Sequence, residues 1–131
     1  MSERQRISSG GPWEDRIGYS RPVRVDDRVW VSGTTGTHTD GTIPDGTDAQ
    51  TRLAFAVIEV ALREAGASTD DAVRVRIFVT DIDEWEAVGA LLQEHFGRAR
   101  PAMSMYQVQR MVDPAHRIEI EVEAVIGSAS D

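Results

Sequence analysis

Three glutamates, Glu119, Glu121 and Glu123, occupy every second position in the stretch RIEIEVEA (Arg117 to Ala124). In a strand alternate residues share a face, so the three carboxylates point one way while Ile118, Ile120, Val122 and Ala124 point into a core. Acidic residues are poor strand formers and like charges on one face repel, so that face needs a reason. Two accounts are open. In one, Arg74 and Arg76 pair with the glutamates across strands and neutralise the face. In the other, one carboxylate lies in a partly dry cleft, where burial raises its pKa toward working pH and it orients or deprotonates a water.

Other chemistries find less support. The chain has no cysteine, hence no thiolate nucleophile, disulfide or Cys-based zinc site. His38, His95 and His116 are scattered without metal-ligand spacing and read as structural or exposed, and no Ser-His-Asp arrangement follows from their positions. The segment SGTTGTHTDG is no phosphate loop, because GxxxxGK[ST] is absent and the chain contains no lysine. Gly33, within Ser32-Gly33-Thr34 at a strand end, does let a ligand approach the backbone. No metal site and no cofactor are expected.

Basic residues number 14 against 22 acidic ones, a net charge of -8. This balance opposes binding to nucleic acid or to anionic membranes, both of which rely on basic side chains. No apolar run approaches the ~20 residues that span a bilayer, and MSERQRISSGG lacks the apolar stretch of a signal peptide, so the expectation is a cytoplasmic protein.

The 131 residues suit a single domain, with 40% hydrophobic residues to build a core. Residues 1–16 are read as an arm or a loosely held first strand. GYSRPVRV and RVWVSGTT flank Asp26-Asp27 as a hairpin, and Asp40-Gly41 and Pro44-Asp45-Gly46 mark a loop. Thr47 or Asp48 caps a helix running to Ala65 and closed by Gly66. In AVRVRIFVTD, Val73, Val75, Ile77 and Val79 share one face, with Arg74, Arg76 and Phe78 opposite. A capping box starting at Asp81 or Asp83 opens a second helix whose apolar face carries Trp85, Val88, Leu92 and Phe96. Strands near AMSMYQVQ and RIEIEVEAVI complete an α+β fold, a single sheet with two helices packed on one face.

Read end to end, the chain resembles the Rid (YjgF-like) family of reactive-intermediate deaminases. The matching pieces are GYSRPV, VWVSGT, DAQTR, AGASTDDAVRVRIFVTDIDEW, RPAMSMYQV and RIEIEVEAV, in family order over about residues 6 to 127. The resemblance implies a chorismate-mutase-like fold assembled as a homotrimer, with small-molecule clefts between subunits. It also implies hydrolysis of enamines and imines to keto acids and ammonia, without metal or organic cofactor. Tyr19 matches the tyrosine of an early GPY-type motif, here without its proline. Gly33 matches the cleft glycine, and Glu119 the glutamate that positions water, with Glu121 the alternative because of a one-residue length difference.

One departure bears on substrate. Where the active deaminases read Pro-Ala-Arg, this chain reads Pro101-Ala102-Met103, so the arginine that grips the substrate carboxylate is absent. Such a charge-assisted pair is worth ~1.5–3 kcal/mol. Gly89 stands where the family has an asparagine, and Arg100 substitutes for the missing arginine only if the strand begins late enough to leave it free. The chain therefore looks like a diverged branch, with Met103 and Met105 lining a more apolar cleft and the backbone near Gly33 and Ser104 orienting the ligand. The alternative is a non-catalytic ligand-binding or regulatory trimer of the same fold.

Overall fold

The computed structural model describes residues 2–129. Six strands form one mixed sheet in the order β1-β2-β3-β6-β4-β5. They are β1 (Arg4–Arg6), β2 (Pro22–Val25), β3 (Arg28–Thr35), β4 (Ala72–Val79), β5 (Ala102–Gln107) and β6 (Ile118–Val125). The helices are α1 (Pro12–Ile17), α2 (Thr47–Glu64) and α3 (Trp85–Phe96). All pairings are antiparallel except β4 with β5, which run parallel. Parallel neighbours need a long crossover, and α3 is that crossover.

The alternating strands put Val29, Val31, Val75, Ile77, Val79, Ile118, Ile120 and Val122 on one sheet face. There they meet Phe55, Ile58 and Leu62 of α2 and Val88, Leu91 and Phe96 of α3 in a single core cluster. This is the expected α+β arrangement, two helices on one face of one sheet. Close packing fixes one glycine: a Cβ at Gly36 would lie 2.3 Å from the Gln50 carbonyl oxygen of α2. No helix among the described residues is long and apolar enough to cross a membrane.

Of the two readings of the N-terminal segment, the first strand is the one present, since β1 pairs with β2. Four local features differ from expectation. Pro12 opens a short helix at its first position, where a missing N–H costs nothing. In β4 a register shift between Ala72 and Arg74 turns Ala72 into the core and leaves Val73 39% exposed. On α3, Trp85 is 55% exposed, because the helix begins only there, and Leu91 takes the buried place beside Val88. Gly46, at φ 90°, rather than Thr47 or Asp48, precedes the first turn of α2, with no side-chain cap.

Candidate functional site

The open face of the sheet carries Glu119, Glu121 and Glu123 of β6, and its charges are distributed unequally. Arg76 lies across from Glu121 in β4, with its Nη1 3.1 Å from Glu123 Oε1 and 3.8 Å from Glu121 Oε1. Arg74 takes no glutamate; its Nη2 donates to Ser104 Oγ at 2.9 Å. One arginine thus serves two carboxylates. Glu119, across from Phe78 and Thr35, makes no ion pair among the described residues.

Glu119 rests against Gly33. The register of β3 with β6 shifts between Val31 and Thr34, so Ser32 and Gly33 together stand opposite one residue of β6. A Cβ at Gly33 would lie 2.7 Å from Glu119 Oε2 and 3.0 Å from its Cδ, so only glycine leaves the carboxylate this position. Burial of the half-buried side chain pushes its pKa above the ordinary glutamate value; the negative Glu121 adds to the rise and the cationic Arg21 opposes it.

Arg21 reaches the same glycine through the glycine's backbone carbonyl. Its Nη1 donates to the Gly33 carbonyl and to Thr34 Oγ1, both at 3.0 Å, and its Cζ lies 5.9 Å from the centre of the Tyr19 ring. The element that sets these two residues is α1. Gly18, left-handed at φ 93°, ends the helix, and the N–H groups of Gly18 and Tyr19 both donate to the Glu14 carbonyl. The Glu14 side chain, buried, accepts from Ser9 N and Oγ, Gly11 N and Arg21 N. Burial raises its pKa, but these donors outweigh that and hold it below the usual value. One carboxylate therefore ties the N-terminal segment to the start of β2.

Tyr19 also lines a groove of about 450 Å³ with Arg4, Arg6, Trp30 and Ser32, and Glu119 is not among its lining residues. A second concavity of equal volume, lined by Gln50, Thr80 and Arg110 among others, contains none of these residues. His116 is buried, with Nε2 2.8 Å from Thr37 Oγ1, and burial lowers its pKa despite the nearby Asp113. His95 Nδ1 lies 3.0 Å from the Leu91 carbonyl. Among the described residues no three His, Cys, Asp or Glu side chains group as a metal site.

Comparison with known proteins follows the same outline. The family model described as Endoribonuclease L-PSP matches residues 14–126. The crystal structure of Rv2704 from Mycobacterium tuberculosis, a member of the YjgF/YER057c/UK114 family, superposes with a TM-score of 0.88 at 44% identity, covering 95% of this chain and all of that one. The chain belongs to the Rid (YjgF-like) family. Among Rid relatives, the uncharacterized Streptomyces coelicolor protein SCO2049 is 34% identical over 95% of this chain and 93% of its own. A goat (Capra hircus) 2-iminobutanoate/2-iminopropanoate deaminase is 30% identical over 94% and 91%.

Within one protomer, this Rid chain brings Gly33 and Glu119 together, places Tyr19 beside Arg21, and leaves Met103, Ser104 and Met105 apart. The latter three sit on β5, at the sheet edge, with β4 between them and β6. Met103 and Met105 align with the core-facing Val75 and Ile77, whereas Ser104 aligns with Arg76 on the open face. Met103 is nevertheless 41% exposed, because an edge strand has cover on one side only. Arg100 lies before the strand at φ 49°, exposed, and Gly89 faces open space on α3. The residue sequence reasoning passed over is Arg21. It stood within GYSRPV, and its signal was its position immediately before Pro22, which pairs with Val31 at the last regular position before the β3 bulge.

Proposed function

We propose that this protein hydrolyses a small imine or enamine to the carbonyl compound and ammonia, with Glu119 handling the attacking water. The observation that carries the reading is that Glu119, alone of the three glutamates on its face, makes no arginine ion pair among the described residues and is wedged against a glycine. A carboxylate so placed is a better base near neutral pH than a wet or paired one. As water oxygen bonds to the imine carbon, the C=N π electrons move to nitrogen and Glu119 takes a water proton. Glu119 passes that proton to nitrogen, giving the neutral carbinolamine. Glu119 then takes the hydroxyl proton as C=O forms and hands it to nitrogen as C–N breaks, releasing ammonia. Water is the only co-reactant and Glu119 ends as it began.

In this reading the open sheet face packs in a homotrimer, and the cleft is completed by a neighbouring subunit. The β5 edge with Met103, Ser104 and Met105 is the segment proposed to supply the second wall, Tyr19 closes the cleft, and backbone N–H groups near Gly33 and Ser104 orient the ligand. The deaminase name of the goat relative supports the reaction class. Methionine at position 103 supports a substrate held differently from the short 2-imino acids of that name. A net charge of -8 and a glutamate-bearing face speak against a ribonuclease role.

Ammonia release from freshly generated imines, short 2-imino acids beside bulkier and uncharged ones, tests the proposal. Glu119→Gln should lower turnover by roughly 10²–10⁴-fold, the usual loss on removing a positioned general base. Undiminished turnover would remove Glu119 from the chemistry. Because Met103 replaces a charged grip, a second reading is a ligand-binding trimer without chemistry; it predicts no turnover on any imine and unchanged ligand affinity in Glu119→Gln.

A further inference from the structure

We infer that Arg21 is the anion anchor of this cleft, so that the substrate is a carboxylate-bearing imine gripped from the start of β2 rather than from β5. The inference rests on the proposed role of Glu119. A carboxylate substrate beside a glutamate needs a cation to offset the repulsion. Arg76 is engaged with Glu121 and Glu123, and Arg74 with Ser104. Arg21 makes no side-chain ion pair with a carboxylate among the described residues and touches the same glycine that Glu119 rests against.

The geometry leaves Arg21 both fixed and unspent. Its Nη1 is held by the Gly33 carbonyl and Thr34 Oγ1, so the guanidinium is oriented before any ligand arrives. Of the five N–H donors of a guanidinium, those on Nε and Nη2 meet no acceptor among the described residues. These are the donors that form a parallel pair with a carboxylate. Its backbone is fixed as well, since Arg21 N donates to the buried Glu14 carboxylate. A substrate carboxylate on Nε and Nη2 would set the neighbouring imine carbon toward Gly33 and the water on Glu119. Loss of the β5 arginine then moves the anion subsite instead of abolishing it.

The test uses 2-iminobutanoate and its amide, 2-iminobutanamide, generated in situ, with ammonia release as readout. Calorimetric binding of 2-oxobutanoate, the keto acid left by hydrolysis, runs in parallel. The native protein should prefer the carboxylate over the amide by roughly 10- to 100-fold in kcat/KM, the range of one charge-assisted pair. Arg21→Gln should collapse that preference, raising KM for the carboxylate at least ~10-fold more than KM for the amide. Arg21→Lys, which keeps the charge without the fork, should fall between. Arg98→Gln, an equal change in net charge on the helix side, should leave the ratio alone.

A purely structural role at the β3 bulge would lower turnover of both substrates together, and that result overturns the inference. So does an Arg21→Gln protein with native preference and native 2-oxobutanoate affinity, although the hydrolase reading would survive. Should no imine be turned over while 2-oxobutanoate binds the native protein and is lost in Arg21→Gln, the anchor stands and the hydrolase reading falls. Absence of both turnover and binding in the native protein overturns the anchor.

Discussion

Glu119→Gln is expected to stabilise the fold at neutral pH. Glu119 and Glu121 share a face two residues apart, a spacing of about 7 Å along a strand. At an effective dielectric of roughly 40–80, suited to half-exposed groups, two such charges repel by about 0.6–1.2 kcal/mol. Partial burial of Glu119 adds to the cost of its charge and Arg21 offsets part of it. The net gain on neutralising the side chain is about 0.5–1 kcal/mol, equivalent to ~2–5 °C in Tm for a domain of this size. A raised folded pKa means that the ionised form is penalised in the native state. The penalty is therefore full above the folded pKa, and shrinks as pH falls through it toward the ordinary glutamate value of about 4.3. Urea unfolding followed by tryptophan fluorescence, at matched protomer concentration near pH 7 and near pH 4, reads both values. A less stable variant at pH 7, or an equal gain at both pH values, would refute the reasoning.

Two further perturbations separate structure from chemistry. Gly33→Ala places a methyl 2.7 Å from Glu119 Oε2, the end of a flexible side chain; the carboxylate should swing away, lowering imine turnover by at least ~10-fold while the melting temperature stays near native. Glu14→Gln exchanges a full acceptor for an amide at a buried site with four donor groups, and should cost about 1–3 kcal/mol in urea unfolding. Because the folded pKa of Glu14 is depressed, its contribution is present above the usual glutamate range and lost as pH falls through that lower value. The gap between native and variant should accordingly narrow on acidification.

Much of the fold was legible because its signals are local. The period of two in RIEIEVEA places Ile118, Ile120 and Val122 in the core wherever the strand is put, and they are buried. The failures share a cause. Val73 and Trp85 are apolar residues in apolar patterns, and each was displaced by a local irregularity, a bulge in β4 and a delayed start of α3. Helix α1 was missed because six residues show no periodicity; its stability comes from Glu14, whose partners span Ser9 to Arg21.

At the candidate site the division is sharper. Sequence by itself determined that three carboxylates share one sheet face and that methionine rather than arginine stands at position 103, because alternation and residue identity do not depend on what lies across the sheet. Gly33, expected at a strand end, lies at a bulge inside β3. Tertiary structure alone decided which glutamate stands apart. Arg76 reaches Glu121 and Glu123 because β4 lies beside β6 in a particular register, and Arg74 turns to Ser104 because β5 lies on its other side. Arg21 comes to Gly33 only because a bulge in β3 and a buried carboxylate in α1 bring two distant segments to one glycine. Charge pairing of this kind is a property of distances between strands, and those are set by register and packing rather than by the order of residues along any one of them.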